Sequence, residues 1–109
     1  MFIWVSANVQ HIGKHDVSTG EAEYVVRHAR TPWPEETGDA KLRAWGQTAD
    51  GRYLQVVYIL PADEQIDYES LDVGQLIALS ESEVQPVYVI HARDLTAKEK
   101  TQYRRRSRR

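Results

Sequence analysis

Apolar residues change their spacing several times along the chain, and each change marks an element. Phe2 to Val5 is a short apolar run that reads as a strand. Val9 and Ile12 follow at i, i+3, which predicts a helix over 7–15 with Ser6 as its N-cap. Gly13 weakens that helix and Asp16 ends it. Ala22, Val25, Val26 and Ala29 then recur at helical spacing behind Ser18-x-x-Glu21, a capping box flanked by Val17 and Ala22 at the staple positions. Thr31-Pro32-Trp33-Pro34 stops this second helix. Beyond a polar loop at 35–39, Leu42 to Gln47 reads as a strand and Asp50-Gly51 as a hairpin turn. Tyr53 to Leu60 is apolar on both faces, so it belongs in the middle of a sheet, and Val87 to Ile90 has the same character. Thr96-x-x-Glu99 is a second capping box, opening a helix to about Arg106 with a thin apolar stripe of Ala97 and Tyr103.

Residues 61–86 carry a weaker pattern. Leu76 to Leu79 is apolar enough for a strand or a turn of helix, and strand or irregular structure is the expectation. The order β-α-α-β-β-(insert)-β-α specifies an α+β fold. It is a single small domain over residues 1–109 with an antiparallel sheet, two N-terminal helices and a C-terminal helix. A chain of 109 residues has room for one core.

Composition alters this picture in two respects. There is no cysteine, so neither a disulfide framework nor a thiolate zinc site is available, as suits the cytoplasm. Met1 to Val5 lacks the basic and apolar regions of a signal peptide, and no segment approaches the roughly 18 apolar residues of a membrane span, so a soluble cytoplasmic protein is expected. The net charge of −2 conceals an uneven distribution. Between Pro61 and Pro86 stand seven acids and no Lys or Arg, leaving 14 basic and 9 acidic residues elsewhere. From His91 to the end there are eight basic residues against Asp94 and Glu99. Such a division points to an anionic partner for one surface. It also raises two placements for the acidic insert: over the basic last helix as a tethered counter-charge, or as an extended hairpin at the far sheet edge.

Candidate chemistry gathers at element ends. The run Val87 to Ile90 leads into His91-Ala92-Arg93, which brings an imidazole and a guanidinium to a sheet edge on a rigid support. Lys14-His15 closes the first helix, where cations are favoured by the helix dipole in any case. His11 and His15 are four apart on one helical face, but the chain has no HExxH glutamate, and bland surface histidines outweigh a metal site. Neither metal nor cofactor is expected. Trp4, Trp33 and Trp45 could stack bases, although core and interface anchoring is the commoner use, and Trp4 is expected to be buried.

Taken in order, Trp4-Val5-Ser6-Ala7-Asn8, Lys14-His15-Asp16-Val17, Gly46 to Arg52 leading into Leu54 to Tyr58, and His91-Ala92-Arg93 resemble the BrnT family. These are RNA-cleaving toxins of bacterial type II toxin–antitoxin pairs. The resemblance spans residues 1–60 and 85–105 and implies a RelE-like small ribonuclease fold. It implies metal-free cleavage of single-stranded mRNA, the 2′-oxygen attacking its own phosphate, and a BrnA-type antitoxin partner that supplies DNA binding. On this reading Lys14, His15, His91 and Arg93 are the catalytic candidates, with acid and base left open, and Lys41, Arg52, Lys100, Arg104 and Arg105 the candidates for phosphate or RNA contacts, Arg52 being as well explained by turn solvation and the arginines by charge alone. Lys41 falls near a family arginine, and Glu99 and Tyr103 match a Glu-Arg-x-x-x-Tyr pattern with Lys100 in the arginine position. Asp16 replaces a glycine of the family segment and His91 a serine. These departures and the acidic insert keep open an alternative, a catalytically inactive module that binds RNA or a protein; a hydrolase of small phosphorylated molecules ranks third. For Arg93, at the solvent end of a strand, loss of the side chain should leave stability almost unchanged.

Overall fold

The computed structural model describes residues 1–81 and 84–107. Glu83, counted with the insert, and Arg108 and Arg109 of the basic end lie outside that range. The fold is α+β, with four helices and a four-stranded antiparallel sheet. Helices α1 (Ser6–Gly13) and α2 (Thr19–Arg27) precede β1 (Glu35–Glu36), β2 (Lys41–Gln47) and β3 (Tyr53–Ile59). Two short 3-10 turns and α3 (Val73–Ser80) fill the insert, followed by β4 (Tyr88–Asp94) and α4 (Ala97–Arg106). Strand order is β1-β2-β3-β4, so the doubly apolar β3 is interior as expected. No helix among the described residues is long and apolar enough to cross a membrane.

Local chemistry explains where the helices start. Both sequence-predicted capping boxes form: Ser18 and Glu21 satisfy each other's backbone N–H at 3.0 and 3.1 Å, and Thr96 and Glu99 do so at 2.8 and 3.2 Å. Ser6, in contrast, is the first helical residue of α1, with Val5 in the cap position and no side-chain cap bond. The helix also stops short of the expected His15: α1 ends at Gly13 with Lys14 as C-cap, and Asp16 closes the following turn in the left-handed conformation at φ 58° that favours glycine.

The sheet divides its side chains between two faces. Ala44, Leu54, Val56, Tyr58, Val89 and Ala92 are buried with Ile12, Val17, Ala22 and Val25 of the α1–α2 region. Where β2 meets α2 the backbone is close: a Cβ on Gly46 would stand 3.2 Å from Val25 Cγ1. On the opposite face, Trp33, Trp45 and Leu95 form a second, smaller cluster against Tyr53 and Tyr103, which anchors α4. The β3–β4 register shifts between Val57 and Tyr58, leaving Ile90 as the extra residue.

Four expectations need correction. Phe2 to Val5 is not a strand: it contributes one parallel bridge, Phe2 to Val87. Trp4 is half-buried, its Nε1 donating to Glu23 at 2.9 Å. Glu35–Glu36, placed in a loop, pairs with Leu42 and Arg43. Leu76 to Leu79 lies in helix α3, because Asp72 and Gln75 form a third capping box at its start. The insert therefore is no hairpin. Among the described residues no hydrogen bond or ion pair joins residues 61–81 to α4.

Candidate active site at the edge of the sheet

Directly paired residues of an antiparallel sheet share a face, so the register lays out three rows across β2, β3 and β4. They are Lys41–Ile59–Tyr88, Arg43–Val57–His91 and Trp45–Gln55–Arg93. At the β4 edge, α1 adds two more imidazoles. His11 Nε2 lies 3.3 Å from His91 Nδ1. The ring centroids of His15 and His91 are 5.2 Å apart, those of His11 and His91 5.5 Å, and those of His11 and His15 6.3 Å. Three of the four histidines of the chain thus meet at one point, with exposed Lys14 beside His15 at the C-cap of α1.

Burial, then the cationic forms of His15 and His11 and the charge of Arg93, push His91 below the usual imidazole range. It therefore tends to stay neutral near pH 7, as a proton acceptor must. The geometry suits proton transfer: one ring can relay to another within hydrogen-bond reach, and a neutral and a protonated imidazole can share one substrate.

Arg93 sits two residues along the same face, but its fork is engaged. Its two terminal nitrogens donate to Glu99 at 2.7 and 2.9 Å, and also to Asp94 O and Gln55 Oε1. The pairing holds the Glu99 carboxyl down to about 2, with the cap bond at Thr96 adding to the effect. Gln55 Oε1 also accepts from Trp45 Nε1 at 3.0 Å, so this buried amide links Arg93 to the aromatic cluster. Arg93 is accordingly the brace between β4 and α4, and the expectation that its loss would leave stability untouched does not fit.

Arg52 is likewise structural. It forks onto Asp94 at 2.7 and 3.0 Å, reaches Glu21, and donates to the carbonyls of Asp16 and His15 at 2.6 and 3.1 Å. Hydrogen bonding to Asp94 raises its pKa further and lowers that of Asp94. Its function here is to hold the turn carrying His15 against the β2–β3 hairpin. Lys41 shares the face of His91 but stands two strands across and two residues along, outside the cluster. Lys100 and Arg104 cover the Tyr53 ring at 5.7 and 5.2 Å, near the α4 end of the face, and Arg105 is exposed.

Two residues escape sequence reasoning. His11 reads as a bland surface histidine because its partner lies 80 residues away; the i, i+4 pair with His15 was the available signal. Arg43 carries no signal in the sequence, yet it occupies the row of His91, pairing with Glu35 at 3.1 Å and lying 5.4 Å over the Trp45 ring. Among the described residues no group of three or more His, Asp or Glu side chains is placed to hold a metal ion. Comparison of the chain with protein-family models, with characterised proteins and with solved structures finds no match.

Proposed function

We propose that this protein is a BrnT-like, metal-independent endoribonuclease of the toxin type, with a RelE-like fold, acting on single-stranded RNA in the cytoplasm. The observation that carries the reading is the meeting of His11, His15 and His91 at the edge of a cationic sheet face. RNA supplies its own nucleophile, so the protein need only move two protons and stabilise charge. In the proposed step the 2′-oxygen attacks the adjacent phosphorus while its proton passes to an imidazole. The bond to the 5′-oxygen breaks, and that oxygen takes a proton from a second imidazole. The products are a 2′,3′-cyclic phosphate and a 5′-hydroxyl.

His91, biased towards its neutral form, suits the base; His11 or His15 suits the acid. Lys14 is the cation best placed for the phosphate, because Arg93 and Arg52 are engaged by carboxylates. Arg43 and Lys41 on the same face, with Lys100, Arg104 and Arg105 of α4, would bind the flanking RNA. A BrnA-type antitoxin, bringing its own DNA-binding part, is the partner this reading implies. The engaged state of Arg93 and Arg52 favours the alternative, a non-catalytic module for RNA or a protein.

Expression of the untagged chain with a reporter RNA tests both readings. Cleavage leaving cyclic phosphate ends, insensitive to EDTA and reduced about 10²-fold or more in His91→Ala, supports the enzyme. Intact RNA with soluble protein supports the module. A strict requirement for a divalent ion would sink the mechanism as written.

A further inference from the structure

The sheet face that carries His91 runs on past the aromatic cluster to a cleft at the far end of β2. We propose that this cleft, between the C-terminus of α2 and α4, is a nucleotide subsite that holds one base and its phosphate from a single-stranded RNA lying across the face. The RNA source rests on the function proposed above; the subsite itself stands on its lining.

The strand register extends the rows already described. Past Trp45–Gln55–Arg93 the next row on the same face is Gln47–Tyr53, with Leu95 N donating to Tyr53 O at 3.0 Å. Gln47 opens onto a cleft of about 400 Å³. That lies within the roughly 300–1,000 Å³ of sites for small ligands. Strand β1 pairs only with Leu42 and Arg43, so beyond Arg43 the edge of β2 has no strand beside it. Tyr103 of α4 forms one wall. Its ring meets Tyr53 edge-on at 5.9 Å, and Lys100 and Arg104 cover Tyr53 at 5.7 and 5.2 Å. An RNA strand leaving the histidine corner would meet Arg93, then the cation-bearing Tyr53, then this cleft.

The lining suits a base. Tyr24 and His28 stack with centroids 4.0 Å apart and planes 22° from parallel, and both are exposed, so together they offer an aromatic platform. His28 Nδ1 lies 2.9 Å from the Tyr24 carbonyl, which can only accept, so in the neutral ring Nδ1 carries the proton and Nε2 is left to accept. The Thr48 hydroxyl accepts from Arg52 N at 3.0 Å and keeps its own proton to donate. Gln47 Nε2 is engaged by Gly51 O at 3.1 Å, which leaves Oε1 to accept. Donors and acceptors beside an aromatic platform are what an unstacked base requires.

The charge suits one phosphate. Arg30 lines the same cleft, is exposed and makes no ion pair among the described residues. Burial raises the Tyr103 pKa and the Arg30 charge opposes that rise, so the guanidinium acts on the Tyr103 wall. A planar, uncommitted guanidinium matches a phosphate in shape and charge. The C-terminus of α2, capped by His28, carries partial negative charge, which disfavours a second phosphate and favours the amino group of a base.

The test is a titration of the untagged chain with a labelled 2′-O-methyl RNA octamer of mixed sequence, followed by fluorescence anisotropy. That strand has no free 2′-hydroxyl, so binding is read without cleavage; 5′-AMP and a cleavable reporter RNA are run in parallel. Arg30→Ala should weaken octamer binding about tenfold and reduce the slope of log affinity against log salt by roughly 0.7–1, as loss of one phosphate contact requires. His28→Ala should weaken binding about tenfold with the slope unchanged, as loss of a stacking platform does. Arg27→Ala removes an equal charge from an α2 residue paired with Glu23, and should leave affinity within about twofold. Unchanged affinity in both Arg30→Ala and His28→Ala overturns the subsite, while a chain that still cleaves the reporter keeps the ribonuclease reading. Both losses in a chain that cleaves no RNA overturn the ribonuclease reading and leave the subsite standing. The 5′-AMP should bind far more weakly than the octamer, because it cannot reach the cations of α4. Equal affinity overturns the RNA assignment and gives the cleft to a free nucleotide.

Discussion

Removing the Arg93 guanidinium would strip Glu99 of its counter-charge while the carboxylate stays tied to the α4 cap. Arg93→Ala should therefore cost about 1–2 kcal/mol in denaturant unfolding, the range for charge-assisted hydrogen bonds at a partly exposed site. The acid limb of stability carries the same signature. The Glu99 carboxyl is held near 2, below its ordinary 4.5, so its stabilisation is complete above about 4.5 and is lost as pH falls towards 2. Arg93→Ala should flatten the loss in that window. In the proposed mechanism His91 acts through its neutral form, and its pKa is lowered from 6.5, so the acid limb of kcat/KM should lie below pH 6.5. Asp16, at φ 58°, holds the left-handed conformation that favours glycine. Asp16→Gly should raise stability by about 0.5–1 kcal/mol, seen as a higher unfolding midpoint, with the histidine trio retained.

Elements built by neighbours in sequence are the legible part of this fold. Ser18 and Glu21, or Thr96 and Glu99, lie three residues apart, so each cap can be read before any tertiary contact is known. The alternation of β2 and β3 and the Asp50-Gly51 turn are equally local. Helix α3 is masked by the apolar run Leu76 to Leu79, which suits a strand as well; its decisive signal is the Asp72–Gln75 box ahead of that run. The site is half legible. Lys14, His15, His91 and Arg93 stand out in the sequence as polar groups at element ends, but the engagement of Arg93 by Glu99 and the arrival of His11 depend on packing between distant segments. Gly46 shows such packing at its tightest, since Val25 is almost wholly buried and has no room to yield. Gly46→Ala should destabilise by about 1–2 kcal/mol by forcing α2 off β2, measurable as a fall in Tm.

At the scale of the whole molecule, the charges are segregated without being neutralised against each other. Among the described residues, side-chain hydrogen bonds of the insert stay within it, such as Tyr68 to Asp63 and Gln75 N to Asp72, and Val73 and Ile77 of α3 remain exposed. The basic end is instead held by Glu35, which pairs with both Arg43 and Arg106. Replacing residues 61–86 with a short turn should therefore leave the salt dependence of RNA binding unchanged, the slope of log affinity against log salt being set by the cationic face alone. The extra residue on β4 governs more than local geometry. Strand side chains alternate strictly, yet Val89 and Ala92, three apart, both point into the core. Ile90 resets the alternation, like an added beat that moves every later note to the off-beat. Were Ile90 paired as an ordinary strand residue, His91 and Arg93 would turn inward beneath α1 and α2, and Ala92 would face water. Deleting Ile90 should thus leave plain alternation, with Val89 and Ala92 still inward and His91 and Arg93 still outward, and keep a chain folded by circular dichroism and NMR. The outward facing of His91 and Arg93 thus hangs on a bulge that takes no part in their chemistry.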